Sequence, residues 1–504
     1  MMEKIITLKL SSQTTLLRLA SATLLIAAMG LALGQFFSFK DSQKYFPPGV
    51  TIAGVRVGGL DRKDAGDRIF EVFSQPVELR YQNSRIQVLP LALGFQMDIE
   101  AMLSEAEQQV SATSPGAAFW KHLWKQKGQD SEISVPLNAS IQSDLIHQFL
   151  VSEISPRYDQ PPTEAVPIAG QSIFEKGQPG YSIDLAKSAQ AIQAALESPT
   201  QRVAQLVINE LPAGLPSMEN LEISLKQQIS LSSPNTLVEI YLKNLENHQS
   251  LHFAVQNSTD ISPGIAFTAA STIKIPVMIS VLRRTDSPTP ERISAMLEEM
   301  IMFSENTETD RLMEQVIDPV YGPIYVTEDL ETLGLRNTFL GGYFYLGAPL
   351  LRLYETPANQ RQDINLIPDP YNQTTPNEMG TLLEAIYHCA ADGTGLLTQT
   401  FPGQITRDEC QYMIELLVGD RLPYLITAGL PEGTRIAHKH GWIEEADGLL
   451  HTMSDAAIIY SPGEDYVLTI YMYHPEQLVF DNGNRLMAQL STTIYNFFNV
   501  YSNE

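Results

Sequence analysis

Cysteine is nearly missing from this chain, with two in 504 residues, Cys389 and Cys410. Their spacing fits no zinc pattern and no Cys-x-x-Cys occurs, which argues against a metal enzyme built on cysteine. Outside the cytoplasm the two could form one disulfide; otherwise they read as buried thiols on packed helices. Positive charge is also scarce. Lys and Arg number 33 against 58 Asp and Glu, a formal net charge of −25. Such a chain repels nucleic acid and anionic lipid, so neither is expected as a partner. No long low-complexity run argues for disorder, and an apolar fraction of 44% with 18% charged residues is that of a globular protein. The length exceeds what one core supports and points to two or three domains.

The N-terminus carries an uncharged stretch from Leu19 to Phe39, preceded by Lys4, Lys9 and Arg18. About 20 apolar residues suffice to cross a bilayer. Basic residues before the stretch place the N-terminus inside. Residues 1–18 are then cytoplasmic, 19–39 form a transmembrane anchor, and everything after Lys40 lies outside. Ala32 and Gly34 are small residues at cleavage-like spacing, so a removed signal peptide is the alternative. Both readings deliver the rest of the chain beyond the cytoplasm.

From Phe46 to Asp61, the roughly alternating Val50, Ile52, Val55 and Val57 predict a strand. Gly58 and Gly59 mark a turn, and Asp61 caps a helix running through Phe73. Short strands are expected at 77–81 and 86–89. Two places then resemble each other. Gly94-Phe95-Gln96-Met97-Asp98 and Gly180-Tyr181-Ser182-Ile183-Asp184 each precede a helical stretch, 99–110 and 185–196. Asp98 and Asp184 fit helix N-caps and read as structural. With Pro161 to Ala165 (PPTEA) and Gly180 to Asp184 (GYSID), residues 45–211 resemble the peptidoglycan-binding domains found ahead of VanW-like and transpeptidase domains. The resemblance implies two small α+β repeats and peptidoglycan as a partner; a rigid spacer is the plainer reading. Residues 212–216, in the Pro/Gly-rich run Leu211 to Pro216, form the linker. A helix from Met218 to Ile229 and a hairpin of 238–243 with 250–256 follow.

Chemistry-bearing residues come next. Ser271 and Lys274 lie three apart, so on a helix both face one side. A serine hydroxyl becomes a nucleophile when a base takes its proton, and a lysine serves if burial or another cation lowers its pKa. Ser304-Glu305-Asn306 stands in a loop leading to a helix at 309–316; its hydroxyl could relay a proton and its amide could hold a carbonyl. His438-Lys439-His440-Gly441-Trp442 reads as a strand edge. Lys439 would hold a substrate carboxylate, and Gly441 allows close backbone approach. Strands are expected at 456–460 and 467–473.

In this order the motifs closely resemble the active-site series of class A β-lactamases and penicillin-binding proteins. Asn372 to Pro376 (NQTTP) and Gly429-Leu430-Pro431 resemble flanking segments of the same family. The resemblance covers residues 217–500 and implies an α+β chain whose last domain has an antiparallel sheet flanked by helices. It implies that Ser271 forms an acyl-enzyme, Lys274 and Ser304 move protons, and Asn306 positions the substrate. Lys439, His440 and Gly441 would bind the substrate, and the backbone N–H groups of Ser271 and Trp442 would form the oxyanion hole. No cofactor or metal is implied. His440 stands where a threonine or serine is usual, and Glu305 where an aspartate is usual. Glu355, the sole glutamate between Leu351 and Pro376, falls near the place of the family's deacylating base. Hydrolysis of β-lactams is the expected activity, with a D,D-peptidase on peptidoglycan or a silent wall-binding protein as alternatives.

Overall fold

The computed structural model describes residues 3–111, 119, 132–232, 235–364, 366–445 and 447–502, with backbone alone for 3–16. The chain divides into two compact units. One is Met1–Pro161 with Pro179–Pro212, the other Pro162–Gln178 with Ala213–Glu504.

The first unit opens on a continuous helix, Glu3–Ser42. Its Leu17–Ser42 part is long and apolar enough to cross a membrane, with mean hydropathy 1.7 and no burial. The side chains of Lys4 and Lys9 lie outside the described residues. The strand expected over 50–57 is two short ones, Val50–Ile52 and Val55–Arg56, because Ala53 and Gly54 take left-handed backbone angles and turn the chain back. Asp61 caps the Arg62–Ser74 helix by accepting from Asp64 N at 2.8 Å. Strands Val77–Tyr81 and Ser84–Val88 form a hairpin whose Val77, Leu79 and Tyr81 alternate into the core. Each glycine-led segment makes a short strand followed by a helix, Ile99–Ser111 or Leu185–Glu197. Asp98 accepts from Ala101 N at 2.9 Å and Asp184 from Lys187 N at 3.0 Å, which offsets orphaned N–H groups at the helix start.

The second unit is built on a six-stranded antiparallel sheet. Its spatial order is Thr259–Ile261, Ser250–Gln256, Leu237–Asn244, Tyr466–Tyr473, Leu450–Tyr460 and Arg435–Glu444. Alternation assigns side chains to two cores. Leu468, Ile470 and Met472 face the terminal helices Met218–Ser232 and Phe480–Phe498, with Leu225, Leu490 and Ile494. Ala437, Ala456, Ile458 and Val467 face the helical layer of Lys274–Leu282, Glu291–Met302, Pro376–Asp392 and Arg407–Val418. Burial on both faces explains why these strands read as apolar runs rather than alternating ones. Segment Pro162–Gln178, inside the stretch 45–211, groups with this unit. Its Phe174 ring packs edge-on against Phe497, and Ser172 O accepts from Asn496 Nδ2 at 2.6 Å. Gly177 is required there, since a Cβ would fall 2.1 Å from Thr163 O.

Cys389 and Cys410 are joined by a disulfide across the Pro376–Asp392 and Arg407–Val418 helices, with Cα atoms 5.8 Å apart and a sequence separation of 21. Closing a loop of that size restricts the unfolded chain by about 3 kcal/mol. Replacing both cysteines by alanine should lower the urea-unfolding free energy by roughly that amount; an unchanged midpoint would show that the bond adds nothing.

Candidate active site

Ser271 lies on a tight turn, Ala270–Ile273, that runs straight into the Lys274–Leu282 helix. The predicted helix therefore begins later than the spacing suggested. Ala270 sits at φ +48° and Ser304 at φ +61°, left-handed values costing about 1–3 kcal/mol each for non-glycine residues. The turn is held from behind. Thr272 Oγ1 donates to Ala269 O at 2.6 Å, and Tyr471 OH donates to Thr272 Oγ1 at 2.8 Å.

Lys274 is fully buried, with its stem in the helical layer. Its Nζ lies 2.7 Å from Ser304 O, 2.7 Å from Asn306 Oδ1, 3.0 Å from Ser271 Oγ and 3.2 Å from Ser304 Oγ. Burial first, and then the charge of Lys439, push its pKa down to about 7, against the pull of Glu305, Asp310 and Asp420. A neutral amine has two N–H groups and one lone pair. The two shortest contacts go to oxygens that can only accept, which leaves the lone pair for the Ser271 hydroxyl. The geometry is that of a base at a nucleophile. The Phe344 ring lies 5.5 Å from Nζ and adds to its apolar enclosure. Asp310 braces this wall, accepting from Phe344 N at 2.8 Å; burial pushes its carboxyl up to about 6.

The Arg435–Glu444 strand forms the sheet edge beside the Ser271 turn. A Cβ on Gly441 would lie 3.0 Å from Ala269 O and 3.1 Å from Ser271 N, so any larger residue would push the two backbones apart. This close approach is what a pair of backbone donors from Ser271 and Trp442 requires. Lys439 is fully buried, its Nζ 3.0 Å from Asp420 Oδ2 and 3.4 Å from His440 Nδ1. His440 Nδ1 also meets Asp420 Oδ2 at 2.8 Å. Burial alone would raise the Asp420 carboxyl, but the hydrogen bond from His440 and the charges of Lys439 and the two histidines outweigh it and hold it at about 2. Behind them His438 Nδ1 contacts Asp455 Oδ1 at 3.0 Å, both fully buried. Burial disfavours a charged His438, yet the Asp455 carboxylate more than compensates and raises its pKa.

Two cavities open on Ser271 and share Trp442. One, about 390 Å³, is walled by Tyr343 to Ala348, Asp369, Tyr371 and Asn372. The other, about 730 Å³, is walled by Phe303, Ser304, Asp420, Arg421 and His440. The structure thus gathers Ser271, Lys274, Ser304, Asn306, Lys439, His440, Gly441 and Trp442. It does not bring Glu355 there: that side chain is exposed and lines neither cavity. The carboxyl on the same loop that does line one is Asp369, half-buried, its pKa raised by burial. Sequence reasoning also missed Asp420 and Asp455. The one signal was physical: Lys439, if buried, needs an anion, and Asp420 is an acidic residue shortly before the Gly429-Leu430-Pro431 segment.

The sequence model of the beta-lactamase enzyme family matches residues 287–498. This range takes in Ser304, Asn306 and the Lys439 strand and begins after Ser271 and Lys274. The second unit, which holds the matched residues, has a β-lactamase fold. Similar solved structures include PBP-A, 20% identical, covering 57% of this chain and 99% of its own, with a TM-score of 0.41. TLA-1 extended-spectrum β-lactamase is 17% identical, covering 55% and 98%, with a TM-score of 0.40. An ancestral class A β-lactamase is 20% identical, covering 54% and 98%, with a TM-score of 0.38. No curated protein matches the chain.

Two outcomes follow from the electrostatics. Lys274 can accept a proton only when neutral, so the rate at which Ser271 reacts with an acylating agent should fall about tenfold per unit below pH 7 and level off above it. A flat profile from pH 5.5 to 8.5 would remove Lys274 as the base. Asp420→Asn leaves Lys439 buried without its anion and should cost about 3–5 kcal/mol in urea unfolding; an unchanged midpoint would mean that Lys439 is already neutral.

Proposed function

We propose that the second unit is an extracytoplasmic serine hydrolase that forms an acyl-enzyme at Ser271 with β-lactams and with peptides ending in D-Ala-D-Ala, and that it releases the acyl group slowly. The observation that carries this reading is the Lys274 amine, buried, its pKa pushed down to about 7 and in contact with Ser271, Ser304 and Asn306 together. Lys274 takes the Ser271 proton as Oγ bonds to the substrate carbonyl carbon. The backbone N–H groups of Ser271 and Trp442 hold the developing oxyanion. The carbon–nitrogen bond then breaks, and the proton reaches the leaving nitrogen through the Ser304 hydroxyl. Asn306 orients the substrate amide. Lys439 is tied to Asp420, so its role is to lower the Lys274 pKa rather than to grip substrate, while His440 and Arg421, which face the larger cavity, meet the substrate carboxylate.

Slow release follows from the position of Glu355 outside both cavities. Without Glu355 to activate water, the ester persists and the protein behaves as a penicillin-binding D,D-peptidase. A second reading, a β-lactamase, is favoured by one observation, the half-buried Asp369 carboxyl that lines the smaller cavity together with Ser271. The apolar helix within residues 19–39 is read as the membrane anchor, or as a signal sequence, and residues 45–211 as a peptidoglycan contact or spacer.

The full chain in detergent should take up one fluorescent penicillin, keep it for minutes, and lose labelling in Ser271→Ala. A chromogenic cephalosporin should turn over slowly. Fast turnover that Asp369→Asn abolishes, with label then trapped, would establish the β-lactamase reading instead. Neither label nor turnover would sink both.

A further inference from the structure

A cluster of metal-ligating side chains sits on the second unit at neither cavity. Glu384 and His388 are one turn apart on the Pro376–Asp392 helix and so share a face. His248 reaches them from the turn between strands Leu237–Asn244 and Ser250–Gln256. One ligand atom from each of His248, Glu384 and His388 lies within 4.8 Å of the others. The His248 and His388 ring centroids are 5.9 Å apart.

Several features fix this placement. His248 takes φ +62°, a left-handed angle that aims its side chain differently from its neighbours'. The backbone around it is pinned: Asn244 Oδ1 accepts from Glu246 N at 2.8 Å, Asn247 Oδ1 accepts from Gln249 N at 2.9 Å, and Asn244 N donates to Gln249 O at 2.9 Å. Leu245 of the same turn is buried in the core that holds Ile386 and Cys389 of the helix. Turn and helix are therefore both anchored, and little ordering remains to be done by a ligand. Lys243 approaches Glu384 Oε1 at 3.8 Å, too long for a hydrogen bond, and His388 Nε2 at 3.9 Å is equally loose. Neither contact is a hydrogen bond, so the carboxylate keeps its oxygens for a ligand.

We propose that His248, Glu384 and His388 bind a divalent transition-metal ion of the zinc type, joining the hairpin turn to the helix. Two imidazole nitrogens and a carboxylate suit zinc and disfavour calcium or magnesium, which take oxygen ligands. Three protein ligands leave a fourth, solvent-facing position for water. Bonds of about 2.0–2.2 Å require the three side chains to draw together by small rotations, which the exposed His248 ring permits. The strongly acidic chain favours cation approach.

The test uses the untagged full chain in detergent, stripped by a chelator and titrated with Zn²⁺ by calorimetry, with Co²⁺ as a spectroscopic probe. One saturable ion per chain is expected, with a Kd of micromolar or tighter and the visible absorption of tetrahedral Co²⁺. His388→Ala and His248→Asn should each weaken binding at least tenfold; asparagine is chosen because it tolerates the left-handed angle. Ser271→Ala should bind zinc as the parent does. Absence of saturable binding, or affinity unchanged in both histidine variants, would overturn the proposal.

Discussion

Burying an amine is costly, and the arrangement around Ser271 is what makes the burial of Lys274 tolerable. Its nitrogen needs acceptors, and the chain supplies them from two places, the Ser304 carbonyl and the Asn306 amide. Meeting both draws the Ser304 loop against the Lys274 helix and holds Ser304 at a left-handed angle. A second buried cation, Lys439, lowers the first and demands its own anion. Asp420 answers that demand, and His440 then completes the carboxylate. The layout is a sequence of compensations in which each buried charge fixes the position of the next.

The sheet carries these groups because both of its faces are covered. A strand such as Tyr466–Tyr473 exposes almost nothing, so its register is set by two cores at once. Through Tyr471 that register reaches the Ser271 turn, since the phenol holds Thr272. Strain at Ala270 is thus sustained by packing two strands away from the edge where Gly441 meets Ser271.

Much of this was legible in the amino-acid order. The Ser271–Lys274 spacing, the Ser304 loop, the Lys439 strand and the hairpin before them are local patterns, and local patterns survive folding. Pairings between distant segments were not legible. Asp420 and Asp455 look like ordinary surface acids until the strand carrying His438 and Lys439 is placed beside them. Glu355 was singled out by residue type and approximate position along a loop; the loop's path, set by Tyr354 stacked on Phe339 and by Asn359 donating to Tyr354 O, carries Asp369 to the cavity instead. Loops have no periodicity from which such a path could be read.

The excursion of Pro162–Gln178 into the second unit changes what a boundary means in this chain. Because the chain passes from one unit to the other three times, cleavage within 212–216 would not yield two independent pieces. The hydrolase fragment would lack the hairpin that covers Phe497, and the N-terminal fragment would carry that hairpin without its seat. The two should behave as complementing halves, each supplying a surface the other was folded to need.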